Sequence, residues 1–141
     1  MDFQQHFLRV AVRCAGRKPR RNEGVSAADL RKCERRLGFR LPRAMRDFYR
    51  SCGRFDELTE AHNQLWPLRR LQVKEEHLWF MEENQEVVYW GVPVDQLSKD
   101  DPIVYQRANE QGARWYSERM RFSRFLKAMY EWQAGRAEAP R

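Results

Sequence analysis

Residues 77–92 read His77-Leu78-Trp79-Phe80-Met81-Glu82-Glu83-Asn84-Gln85-Glu86-Val87-Val88-Tyr89-Trp90-Gly91-Val92. Two runs rich in aromatic and branched side chains flank a polar stretch, the pattern of two strands near 77–82 and 87–92 with a turn at Asn84-Gln85. So short a connection makes the strands antiparallel. Successive strand side chains point to opposite faces, so Val88 and Trp90 share one face and Val87, Tyr89 and Gly91 the other. This reading puts Trp90 in the core and turns Tyr89 outward. The same geometry separates Glu82 from Glu83, a poor arrangement for a shared general acid and base.

Further strands are expected near Leu65 to Leu71 and Ile103 to Gln106. Upstream the period changes to that of helices. Phe3, Phe7, Val10, Ala11 and Cys14 recur at spacings of three and four, the stripe of an amphipathic helix over 2–14. Ser26 with Asp29 three residues later marks a helix start, and Leu30, Cys33 and Leu37 form its inner face. Gly38 supplies a left-handed stop. Leu41-Pro42 opens another helix, with Met45, Phe48, Tyr49 and Cys52 inward and Gly53 at its end. Phe125, Leu126, Met129 and Tyr130 make a closing helix over 123–133. The fold class predicted is α+β: a mainly antiparallel sheet of about four to six strands flanked by N-terminal helices and a C-terminal helix.

At 141 residues the chain has the size of one domain. Its expected organisation is an N-terminal helix with a mobile basic loop (1–23), a single domain (24–134) and a flexible tail (135–141). No apolar run reaches the roughly 20 residues of a membrane-spanning helix. The opening Met1-Asp2-Phe3-Gln4 lacks a basic leader, so the cytoplasm is the expected location. Cys14, Cys33 and Cys52 form no CxxC pair and are odd in number, which suits reduced, buried thiols.

No catalytic residue, metal or cofactor is expected. His6, His62 and His77 have no ligand spacing, no cysteine has a neighbouring histidine in sequence, and GxSxG, P-loop and GxGxxG motifs are absent.

The net charge of +7 is unevenly spread. Residues 1–54 hold 15 Lys and Arg against 5 Asp and Glu, and residues 55–141 hold 12 against 15. Residues 56–101 carry 11 acidic and 4 basic side chains. That acidic stretch is either an ordinary solvated face or a surface that steers a basic partner. The arginines upstream could instead follow a nucleic-acid backbone, though no RRM, KH, zinc-finger or helix-turn-helix signature accompanies them.

A family resemblance rests on ordered motifs. Glu34-Arg35-Arg36-Leu37-Gly38, Leu41-Pro42, Phe48-Tyr49 and Cys52-Gly53 are followed by Asn63-Gln64-Leu65, Glu82-Glu83-Asn84-Gln85 and Val88-Tyr89-Trp90-Gly91-Val92. Asp101-Pro102-Ile103-Val104 and Phe122-Ser123-Arg124-Phe125-Leu126 complete the set. This order over residues 24–134 resembles the SUKH superfamily. The resemblance implies helices flanking a mainly antiparallel sheet and a role in binding other proteins. Bacterial members look like immunity proteins against polymorphic toxins, often nucleases; fungal members look like regulators of cell-wall synthesis.

The expected function is therefore a non-catalytic protein-binding module, an immunity protein that neutralises a toxin, with a nuclease among the candidates. The alternative is a basic nucleic-acid-binding or regulatory scaffold protein. The expected binding residues are Asp56, Glu57, Glu60, Trp79, Glu82, Glu83, Glu86, Tyr89, Asp100 and Asp101. Glu83-Asn84-Gln85 has a structural reading too, since its side chains can satisfy backbone groups at a tight turn.

Overall fold

The computed structural model describes residues 1–136. Five α-helices are present among them: α1 (Phe3–Ala15), α2 (Ala27–Leu37), α3 (Arg43–Cys52), α4 (Asp56–Thr59) and α5 (Phe122–Gln133). The six strands are β1 (Gln64–Leu65), β2 (Gln72–Lys74), β3 (His77–Glu82), β4 (Val88–Pro93), β5 (Ile103–Ala108) and β6 (Trp115–Arg121). Every pairing is antiparallel, in the order β1-β3-β4-β5-β6, with β2 also paired to β3. The architecture is α+β, as the sequence predicts.

The helix boundaries follow from local chemistry. Asp2 accepts from Gln5 N at the start of α1, and Ser26 Oγ accepts from Asp29 N at the start of α2, which satisfies two orphan amides. Gly38 ends α2 at φ +88°, a conformation a side chain would oppose. Between α2 and α3, Glu34 turns back to accept from Leu41 N at 2.7 Å. No side chain of its own caps α5; Asp101 does so from the chain before β5, accepting from Ser123 N and Ser123 Oγ.

The core lies between the sheet and the layer of α1, α3 and α5. Phe80 of β3 meets Phe122 and Phe125 at 5.3 and 6.3 Å, and Trp90 of β4 meets Phe125 at 5.8 Å. Behind them Phe48 contacts Phe7 edge-on at 4.9 Å and stacks on Tyr130 at 6.1 Å. Met45, Phe48, Tyr49 and Cys52 are fully buried, so the inward stripe read from the sequence is the face of α3 that the core covers. Each large side chain so buried stabilises the fold by roughly 1.5–3 kcal/mol. Tyr49 adds a buried hydrogen bond from its hydroxyl to Trp66 O at 2.5 Å.

Three expectations are revised. The segment 65–71 is not one strand. Pro67 interrupts it, so β1 is two residues long and a 3-10 turn at Leu68–Arg70 precedes β2. The sequence reading also passed over β6, whose Ser117, Glu118, Arg119 and Arg121 give no apolar alternation, and whose pairing with β5 shifts register. Finally, the basic loop is pinned. Arg17 donates to Glu23 and Glu57 and lies 4.3 Å over the Phe55 ring, while Val25 N donates to Tyr49 O and Arg54 N to Glu23 O. Gly24 sits so close to α3 that a Cβ there would lie 1.9 Å from Arg50 O. Of the tail expected over 135–141, residues 137–141 lie outside the described residues.

Candidate functional site

Opposite the helix layer, the sheet carries a cluster of aromatic side chains. Phe80 takes the helix side of β3, so its neighbour Trp79 takes the other, where it packs on Tyr89 of β4 at 5.1 Å and against Trp115 at 5.5 Å. Trp66, delivered by the short chain after β1, closes the cluster at 6.2 Å from Trp79 and 6.4 Å from Tyr89. Trp79 Nε1 donates to Lys74 O, which ties β2 to the same face.

Three cations lie over these rings. The Arg70 guanidinium is 4.1 Å above Trp66, Lys74 Nζ is 5.0 Å from Trp79, and Arg107 is 5.8 Å from Trp79 on another approach. Cations in such positions are attracted by the ring quadrupole. Carboxylates fix two of them: Arg70 pairs with Glu82, which is 6% exposed, and Arg107 pairs with Glu75 at 2.7 Å. Lys74 has no carboxylate partner among the described residues. Together these side chains line a cleft of about 430 Å³ with Gln72, Asn109, Glu110 and Gln111 at its polar edge.

The backbone is shaped to serve this cleft. Glu75 and Glu76 form the β2–β3 turn at φ +54° and +59°, a left-handed conformation unusual for glutamate. Strain of this kind is retained where the surroundings over-determine it. Here the Glu75 carboxylate holds Arg107, its carbonyl lies 2.7 Å from His77 Nδ1, and Glu76 O accepts from Val94 N. Burial raises the pKa of the Tyr89 phenol, with Glu86 and Glu82 adding to the shift, so the hydroxyl stays protonated at neutral pH.

A second concavity, of about 770 Å³, lies between α2, α4 and the turn after β1. Leu65, Pro67, Leu68 and Arg69 line it, whereas Trp66 and Arg70 line the cleft, so one short segment divides its side chains between the two.

The residues read from the sequence as binding distribute over this frame. Trp79 and Tyr89 line the cleft, Trp79 as a buried wall and Tyr89 half-buried, while Glu82 supports Arg70 beneath it. Asp56 and Glu60 line the second concavity. Glu57 is engaged by Arg17. Glu83 accepts from Val87 N within the β3–β4 turn, the backbone role its position suggested, and Glu86 is exposed there at φ +59°. Asp100 lies 3.7 Å from Arg43, and Asp101 caps α5. The acidic run is thus divided among several places and largely employed within the molecule.

Trp66, Arg70, Lys74 and Arg107 escaped the sequence reading. Trp66 and Arg70 lie in the stretch expected as a single strand, and Lys74 lies just beyond it, in β2. Arg107 reaches Trp79 only because β5 places it opposite Tyr89, a register that no local pattern announces.

Fold and site together define an α+β domain whose antiparallel sheet is backed by helices on one face and bears an aromatic, cation-rimmed cleft on the other. A sequence model of the SMI1 / KNR4 family (SUKH-1) matches residues 24–122. The chain belongs to that family. Comparison with the curated proteins and with the solved structures returned no match. Helix α1 and all of α5 after Phe122 lie outside the matched span, yet α1 packs directly on α3 and α5.

Proposed function

We propose that this chain is a non-catalytic protein-binding module that serves as an immunity protein, occluding a toxin of a bacterial polymorphic toxin system in the cytoplasm. Membership of the SMI1 / KNR4 family is consistent with such a role. The observation that carries the reading is the cleft itself. Trp, Tyr and Arg are the side chains that dominate protein–protein hot spots, and here two Trp, one Tyr and two Arg converge on one concavity outside the helix layer.

The contact on this reading is centred on Tyr89 and Trp79, with Glu110 at the edge of the cleft and the exposed Glu86 on the β3–β4 turn. No helix among the described residues is long and apolar enough to cross a membrane. Co-expression with a toxin encoded beside this chain tests the proposal: growth is rescued by the wild-type protein, and failure against every neighbouring toxin would sink the immunity reading.

A further inference from the structure

The electrostatic imbalance of the N-terminal third survives folding, because its few acids are used internally. All five carboxylates of residues 1–54 are engaged. Asp2 accepts from Gln5 N, Glu23 holds Arg17, Asp29 pairs with Arg54, Glu34 accepts from Leu41 N, and Asp47 lies 3.8 Å from Arg43. Of the 15 Lys and Arg in that span, Arg13, Arg17, Arg43 and Arg54 have carboxylate partners among the described residues, and the rest have none.

The surplus is concentrated on α2. Leu30 and Cys33 are its buried side chains, so most of the helix faces outward. Arg31, Lys32, Arg35 and Arg36 are all exposed and form two like-charged pairs four residues apart, a spacing at which like charges destabilise a helix. Neither acid of the helix relieves them, since Asp29 is held by Arg54 and Glu34 turns to Leu41 N. Lys32 and Arg36 border the second concavity, which also holds Asp56 and Glu60; Arg31 and Arg35 lie outside it.

We infer that the outward face of α2, centred on Arg31 and Arg35, receives an acidic surface of the partner protein, an inference that rests on the protein-binding reading above. Docking of carboxylates there relieves the repulsion along the helix and adds electrostatic steering to the contact made at the cleft. Since nucleases present positive potential to phosphates, an acidic docking surface directs α2 to a different face of such a toxin, or to a toxin of another chemistry.

The test uses the full chain and a poly-glutamate peptide of about 20 residues, with a DNA duplex of about 20 base pairs as competitor, from roughly 50 to 200 mM salt. The peptide binds the wild type, and Arg31→Glu with Arg35→Glu weakens it about tenfold or more, while Arg119→Glu with Arg124→Glu changes it little. Circular dichroism confirms that both variants fold. Absence of peptide binding at the lowest salt, or equal binding by the α2 variant, overturns the inference. Duplex binding that persists at a salt where the peptide has dissociated also overturns it, in favour of nucleic acid. Growth rescue separates the two readings. If the wild type and the α2 variant protect equally from a neighbouring toxin, the docking inference fails and immunity stands; if no toxin is neutralised but the peptide still binds through α2, immunity fails alone.

Discussion

The imidazole of His77 lies flat on the indole of Trp115, with ring centroids 3.8 Å apart and planes 6° from parallel. This contact reaches from β6 at one edge of the sheet to β3, across β4 and β5, and Gly91 makes room for it. A Cβ at position 91 would lie 3.3 Å from two carbons of the Trp115 ring and 2.9 Å from Leu78 O. Gly91→Ala is therefore expected to cost about 1–3 kcal/mol, as overpacking does at a filled site. Urea denaturation measures the loss. A change in the ring-current shift of the His77 protons shows whether Trp115 has been displaced, and an unchanged shift would place the strain elsewhere.

Asp101 was read from the sequence as a binding acid, and its geometry gives it a structural task. It accepts from Ser123 N at 2.9 Å and from Ser123 Oγ at 2.6 Å at the start of α5, where no local side chain caps the helix. Asp101→Ala should lower stability by about 1 kcal/mol, the usual cost of losing a cap. Partner affinity measured below the unfolding transition should stay at the wild-type value; a loss of affinity in the folded variant would restore Asp101 to the contact.

The hydrogen bonds from Arg17, joined by the Arg20 backbone amide, bring the Glu23 carboxyl down from 4.5 to about 2. Because the folded value lies below the unfolded one, this contribution is fully present above about pH 4.5 and is lost as pH falls toward 2. Denaturation midpoints measured across that window should fall more steeply for the wild type than for Glu23→Gln. Arg17→Ala should raise hydrogen exchange in residues 20–24 by roughly an order of magnitude, and native-like protection in that variant would show that the loop is held by other contacts.

The three thiols should separate by reactivity. Burial pushes Cys52 up to about 12, with Glu23 adding to the effect, and burial also raises Cys33 and Cys14. At pH 8 Cys52 is thiolate to the order of one part in 10⁴, and its side chain is fully enclosed. A chromogenic disulfide reagent should modify half-buried Cys14 first, Cys33 more slowly and Cys52 only on unfolding. Early labelling of Cys52 would mean that α3 opens locally.

The four longer helices were legible because their signals are local, whereas the four-residue α4 was not. Ser26, Gly38 and Pro42 punctuate the chain, and the stripe of Met45, Phe48, Tyr49 and Cys52 has the helical period. The central hairpin was legible for the same reason, including Trp90 inward and Tyr89 on the opposite face. What escaped was set by pairing. Strand β6 owes its existence to a ladder with β5 that absorbs Arg119 at φ +57°, and the cleft depends on β5 laying Arg107 opposite Tyr89. The acidic run shows a different limit, because composition counts charges without saying which of them are consumed. Glu82 lies under Arg70, Glu57 against Arg17 and Asp101 on α5, so much of the negative charge supports the fold.

The cleft makes the most direct prediction about binding. Tyr89 is half-buried between Trp79 at 5.1 Å and Trp66 at 6.4 Å, so its ring completes a wall without holding up the core on the helix side. Tyr89→Ala should weaken a complex with the neighbouring toxin by about 2 kcal/mol or more, roughly thirtyfold in Kd, chiefly through faster dissociation. Tyr89→Phe should keep most of the affinity if the ring supplies the contact, and should lose much of it if the hydroxyl bonds the partner. Lys74→Glu reverses the rim cation that has no carboxylate partner among the described residues, and it should slow association with an acidic partner but leave the Tyr89 effect intact. Surface plasmon resonance on the purified proteins reads both rates, and wild-type kinetics in both Tyr89→Ala and Lys74→Glu would move the contact off the cleft.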